Sequence, residues 1–151
     1  MEYLENPSLN ITQFMCVMNL LHRIAIRRLP DALLQGMTVS QLTAIGFLFF
    51  QEEKDLYQRD LESFFKLRRS TISSLLNTLE KKDLIQRRSV PHDARLKKLV
   101  LTPQGRLVGS QVHQLFTGLN QQMVRGLSQE EQDAMRSILS KIEKNLSSEE
   151  L

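Results

Sequence analysis

Between Arg68 and Lys82 the stretch RRSTISSLLNTLEKK sets two kinds of residue on opposite sides of one helix. At about 100° per residue, Ile72, Leu75, Leu76 and Leu79 recur at the i, i+3, i+4, i+7 spacing of an apolar stripe. Ser70, Ser73, Ser74, Asn77 and Lys81 fall on the far side, with Thr71 and Thr78 at its edge. Short hydroxyl and amide side chains weaken a helix interior, because they compete for its backbone hydrogen bonds. A face that is merely solvated usually carries long charged side chains instead. Short donors and acceptors, led in by Arg68 and Arg69, suit close approach to another polar surface. The major groove of duplex DNA is such a surface: it admits a helix and offers partners to Ser, Thr, Asn and Arg. A surface helix that tolerates serine is the plainer alternative, and the flanking sequence has to decide.

Charge supports the polyanion. Lys66 to Lys98 holds ten basic residues against three acids, a segment of +7 in a chain whose net charge is +3. A basic block inside an otherwise acidic chain is the electrostatic footprint of a nucleic-acid partner. Phosphate contacts are assigned to Arg59, Arg68, Lys81, Arg87 and Lys97, and base edges to some of Arg69, Ser70, Thr71, Ser73, Ser74 and Asn77. The absence of Trp and the low aromatic content argue against a platform for stacking single strands.

The elements that must position these residues read as mainly α with a small β-wing. A first helix from near Asn6-Pro7 or Asn10 to about Leu29 places Phe14, Met15, Met18 and Leu21 at helical spacing, and Pro30 helps to end it. TVSQ, Thr38 to Gln41, is a capping box that opens a second helix through Leu42, Ile45 and Leu48. A short helix over Tyr57–Phe65, with Leu61, Phe64 and Phe65 inward, and a tight turn lead into the Arg68–Lys82 helix: a helix-turn-helix. DLIQRRSV and LKKLVLT flank PHDAR and read as two strands of a wing. Thr102-Pro103 starts a long helix to about Gly126, and SQEE, Ser128 to Glu131, caps a last one. The expected layout is one domain of 151 residues, with dimerisation helices in 1–36 and 103–146 around a DNA-binding region in 37–102. The helix-turn-helix occupies about 57–82 and the wing about 84–102 of that region. A two-fold dimer suits DNA, because it places two recognition helices about 34 Å apart, one turn of the duplex.

With these elements in place, the chain resembles the multiple-antibiotic-resistance regulator (MarR) family of bacterial transcription factors over nearly its whole length. The resemblance is carried by LESFFKLRRSTISSLLNTLEKKDLIQRR and by DARLKKLVLTPQG. Asp93, Arg95, Leu101, Thr102 and Gly105 match the family's Asp-x-Arg and Leu-Thr-x-x-Gly pattern. The resemblance implies a winged helix-turn-helix repressor that works as a homodimer on a pseudo-palindromic operator. It also implies that Arg95 enters the minor groove from the wing tip while Asp93 orients its guanidinium; a local ion pair that holds a hairpin is the structural alternative. Two positions depart from the family. Lys66 stands where a small residue is usual, and Arg68 replaces the Ser or Thr that caps the recognition helix, which costs about 1 kcal/mol. Either Arg68 faces a phosphate instead or Ser70 supplies the cap.

Some relatives sense peroxides with a first-helix cysteine held by tyrosines. Here Cys16 lies among Phe14, Met15, Val17 and Met18, and the tyrosines are Tyr3 and Tyr57, neither placed for that work. An unreactive thiol packed in the core or at an interface is expected, with a redox-sensing regulator as the alternative. His22, His92 and His113 have no ligand-like spacing, so neither metal nor cofactor is expected. Phe14, Met15, Met18, Phe47 and Phe116 are the candidate lining of a small-molecule effector pocket, although apolar residues at such spacing are more often core. The lone cysteine and the acidic N-terminus point to the cytoplasm, and the longest apolar run, AIGFLFF, is too short for a membrane. No nucleophile–base pair or Gly-rich phosphate loop suggests an enzyme. The rival from another class is a winged helix that binds protein rather than DNA.

Overall fold

The structure is a computed structural model that describes residues 11–31, 36–91 and 93–147, without the side chains of Asp93 and Ala94. The expected helix start at Asn6-Pro7, together with Tyr3 and His92, lies outside the described residues, as does the role expected of the Asp93 carboxylate. The chain forms two compact units, Met1–Thr117 and Gly118–Leu151.

In the first unit, α1 spans Ile11–Arg28, and Leu29 just beyond it is buried in the core. Helix α2, Val39–Phe50, begins at the expected capping box: Thr38 Oγ1 accepts the Gln41 N–H at 3.3 Å and Gln41 Oε1 accepts that of Thr38 at 3.1 Å. Its Leu42, Ala44, Ile45 and Leu48 are buried, which agrees with a central helix. A short strand β1, Leu56–Tyr57, precedes α3, Gln58–Phe65. Asp60 caps α3 by accepting the Tyr57 N–H at 2.7 Å. The expectation of an inward Phe64 is corrected here. Leu61 is fully buried and Phe65 packs on the core, but Phe64 is 48% exposed, its ring 4.4 Å from that of Phe47.

Helix α4, Arg69–Lys81, is the expected recognition helix; Ile72, Leu76 and Leu79 are completely buried, and Leu75 is partly so. It is followed by β2, Ile85–Val90, and β3, Asp93–Leu101. The three strands form an antiparallel sheet in the order β1-β3-β2, with Leu56 opposite Leu99 and Ile85 opposite Leu101. Strand β1 had no signal in the sequence, since two residues are too few to show an alternation.

Helix α5, Pro103–Met123, runs from the first unit into the second. Its start explains the Leu-Thr-x-x-Gly pattern. The Thr102 hydroxyl accepts the Gly105 N–H at 2.9 Å as a helix cap and donates to the Asp83 carbonyl at 2.6 Å. The Thr102 N–H donates to the Leu84 carbonyl at 3.1 Å. These bonds bring the backbone so close that a Cβ on Gly105 would lie 1.9 Å from the Leu84 oxygen. Gly105→Ala is therefore expected to destabilise the protein by about 2 kcal/mol through forced backbone displacement, read as a lower urea midpoint with little change in slope.

In the second unit, Ser128 and Glu131 form the second expected capping box: Glu131 Oε2 accepts the Ser128 N–H at 2.7 Å, and Ser128 Oγ that of Glu131 at 3.2 Å. It opens α6, Gln129–Ser147, along which Ile138, Leu139 and Leu146 are exposed.

Candidate nucleic-acid interface

The polar face of α4 is held outward by the burial of its apolar stripe. Arg68, Arg69, Ser70, Thr71, Ser74, Asn77 and Lys81 are exposed and Ser73 is half-buried. Thr78, at the edge, spends its hydroxyl on the Ser74 carbonyl at 3.1 Å, a back-bond within the helix. The turn before the helix is formed by Lys66, whose φ of 52° puts it in the left-handed region that small residues favour. Arg68 occupies the N-cap position with extended backbone and makes no side-chain cap. Ser70 does not replace it; the helix already begins at Arg69. Across the turn, Gln58 Nε2 donates to the Arg69 carbonyl at 3.3 Å and to Glu62 at 2.9 Å, which ties α3 to the start of α4.

The wing forms the second wall. Alternation along β2 puts Ile85, Arg87 and Ser89 on one face, opposite Leu101, Leu99 and Lys97 of β3. The pairing then jumps from Ser89 opposite Lys97 to Val90 opposite Asp93, so residues 94–96 bulge out of the ladder. A bulge bends a strand and re-aims its side chains, and Arg95 lies within this one, exposed. Lys97 donates to Ser89 Oγ at 2.6 Å.

Together these walls enclose a groove of about 330 Å³, lined on its polar side by Arg59, Arg69, Arg87, Arg95 and Lys97, with Gln58 and Glu62 at its edge. Residues from α3, α4 and both wing strands thus meet in one cationic trough. Arg59 sits over the Tyr57 ring, 5.3 Å from its centroid, so its charge is presented from a supported position. The structure also places an acid here that sequence reasoning did not connect to the site: Glu80 Oε2 accepts from Arg87 Nη1 at 2.8 Å. Asn77 Oδ1 accepts from the same nitrogen at 2.7 Å. Arg87, assigned to phosphate from charge alone, is thus engaged within the chain.

The five effector-pocket candidates lie on three helices: Phe14, Met15 and Met18 on α1, Phe47 on α2 and Phe116 on α5. An apolar cavity of about 30 Å³ is lined by Ile26, Leu29, Leu42, Val112, Leu115 and Phe116 among others, so of the five only Phe116 reaches it. Met15 and Met18 are 53% and 48% exposed on α1, and Phe47 packs on the core. Cys16 is exposed on α1, a helix with no buried residue, so it is not a core thiol of the single chain. Tyr57 is on β1, under Arg59. The His113 ring is near those of Phe49 and Phe50, with centroids at 5.9 and 5.8 Å. Among the described residues no group of three or more His, Cys, Asp or Glu could hold a metal ion, and no helix is long and apolar enough to cross a membrane.

Comparisons with known proteins agree with this architecture. Residues 35–96 match the model of the MarR family. The transcription regulator MarR from Oenococcus oeni is 28% identical, with a TM-score of 0.74 over 88% of this chain and 96% of its own. The MepR–DNA complex of S. aureus is 27% identical, with a TM-score of 0.73 over 91% of this chain and 98% of that one. A putative MarR family regulator from Listeria monocytogenes, solved with a 26mer DNA, shares the fold at 19% identity and a TM-score of 0.73, over 92% of this chain and 89% of its own. Residues 35–96 thus carry the MarR-family pattern, and the chain shares the winged-helix fold of these transcription regulators.

Proposed function

We propose that the chain acts as a homodimer that binds a pseudo-palindromic duplex operator in the cytoplasm and represses the genes beside it. The observation that carries this reading is the cationic groove between α4 and the wing, where four arginines and a lysine face a trough next to an exposed row of short hydrogen-bonding side chains. Ser70, Thr71, Ser73, Ser74 and Asn77 would meet base edges, with Arg68 and Arg69 at the groove's entrance. Arg59, Arg68, Lys81 and Lys97 would hold phosphates, and Arg95 would enter the minor groove. That MepR, a relative of similar length, has been solved on DNA supports the same use here.

Exposed apolar side chains argue for the second copy. Ile11, Met15 and Met18 make an exposed stripe on α1, and Ile138, Leu139 and Leu146 make another on α6. A monomer leaves few such stripes open to water. The helices in 1–36 and 103–146 would dimerise, and 37–102 would read the DNA. Release by a small organic effector completes the reading.

Light scattering together with fluorescence anisotropy tests it. The expected results are a particle of twice the 17.5 kDa chain mass and binding to a duplex from beside the chain's own gene at least ~10³-fold tighter than to a scrambled duplex. A single-chain particle, or equal affinity for both duplexes, would overturn the proposal. Equal and weak affinity is what a protein-interaction module would give.

A further inference from the structure

One cluster, which meets the groove through Arg87, has a chemistry that phosphate binding does not use. Arg87 points from β2 back to α4, where its Nη1 donates to Asn77 Oδ1 at 2.7 Å and to Glu80 Oε2 at 2.8 Å. Glu80 Oε1 also accepts the Arg87 backbone N–H at 3.2 Å, so one carboxylate grips both ends of the arginine. The arginine side chain is only 22% exposed. A guanidinium has donors and no acceptor. The amide atom that faces it must therefore be the oxygen, and the Asn77 Nδ2, with its two donors, is turned away from Arg87. Asn77 itself is exposed and shares the polar face of α4 with Ser70, Ser73 and Ser74.

This orientation matters for reading bases. An unrestrained asparagine recognises adenine with a forked pair, accepting from N6 and donating to N7. With Oδ1 turned to Arg87 and Nδ2 away from it, the amide leads with its donors. Guanine presents O6 and N7 and thymine presents O4, all acceptors; adenine keeps a single acceptor, N7, beside an amino group that sets donor against donor, and cytosine presents the amino donor alone.

We propose that Arg87 and Glu80 are positioning residues that turn the donors of Asn77 to the bases, so that each half-site carries guanine or thymine where Asn77 meets it. The proposal rests on the reading of α4 as the recognition helix.

Selection from a duplex library randomised across the half-site tests it. Asn77→Ala is expected to flatten the preference at one position per half-site. At that position the wild type favours guanine or thymine over adenine by about tenfold, and the selected base distinguishes the two. Arg87→Met frees the amide and brings adenine to parity or above. Glu80→Gln, which loosens the grip on Arg87, moves the order the same way. Arg87→Lys still donates to both partners and keeps the wild-type order.

An Arg87 that only clamps a phosphate would lower affinity for every duplex alike and leave the base order unchanged; that result overturns the proposal. So does a wild-type preference for adenine at the Asn77 position, or an Asn77→Ala variant that flattens none. In those cases the protein still selects an operator and its proposed function stands. If no sequence is enriched at all, that function falls and this inference falls with it.

Discussion

Operator affinity is expected to fall about 10⁴-fold when salt rises from about 50 to about 200 mM. Arg59, Arg68, Lys81 and Lys97 are exposed on or beside the walls of the groove, so a dimer brings about eight phosphate contacts. Each neutralised phosphate releases condensed counterions, and the gain in entropy shrinks as bulk salt rises. Arg87 is left out of this count, because Glu80 and Asn77 already occupy its guanidinium. Anisotropy titrations at four or five salt concentrations give the slope of log K against log salt. A slope shallower than about −3 would mean fewer than about four phosphate contacts and would leave the basic groove without its proposed partner.

Arg95→Ala is expected to weaken operator binding by about 100-fold at fixed salt, since a dimer loses two arginines and each is worth about tenfold. The bulge at residues 94–96 takes Arg95 out of the strand ladder and presents it at the wing. A narrow minor groove concentrates negative potential, so the loss is greatest for operators with A-tract flanks. Arg95→Lys recovers part of the affinity, because a lysine keeps the charge but not the planar fork. The melting temperature separates this effect from unfolding: an exposed wing side chain changes it little. A loss below twofold, with the variant folded, would remove Arg95 from the interface.

Much of this arrangement was legible in the sequence because its causes are local. The Thr38/Gln41 and Ser128/Glu131 boxes close over three residues, and both form as read. The Ile72–Leu76–Leu79 stripe fixes which way α4 turns, and all three side chains are fully buried. What escaped depends on contacts between distant residues. Strand β1 exists because Leu56 and Tyr57 find Leu99 and Lys98, more than forty positions away. The left-handed Asp83, φ 54°, just precedes Leu84, whose carbonyl meets the Thr102 N–H; no local signal marks it. The Arg87–Glu80–Asn77 cluster joins a strand to a helix, and a count of charges assigns that arginine to solvent and phosphate. Phe64 was placed inward by its apolar neighbours, yet periodicity alone does not say which side of a helix meets the core, and its ring is exposed.

The bonds around Thr102 have one more consequence. The carbonyls of Asp83 and Leu84, at the foot of the wing, are fastened to the first turn of the long helix, with a glycine pressed against one of them. Helix, wing and the start of the next helix are thus joined like the jaw of a caliper whose opening cannot be adjusted. On the proposed reading, the distance from the bases that α4 touches to the flank gripped by Arg95 is set by the protein. An operator can then drift by exchanging letters but not by gaining or losing one inside that span.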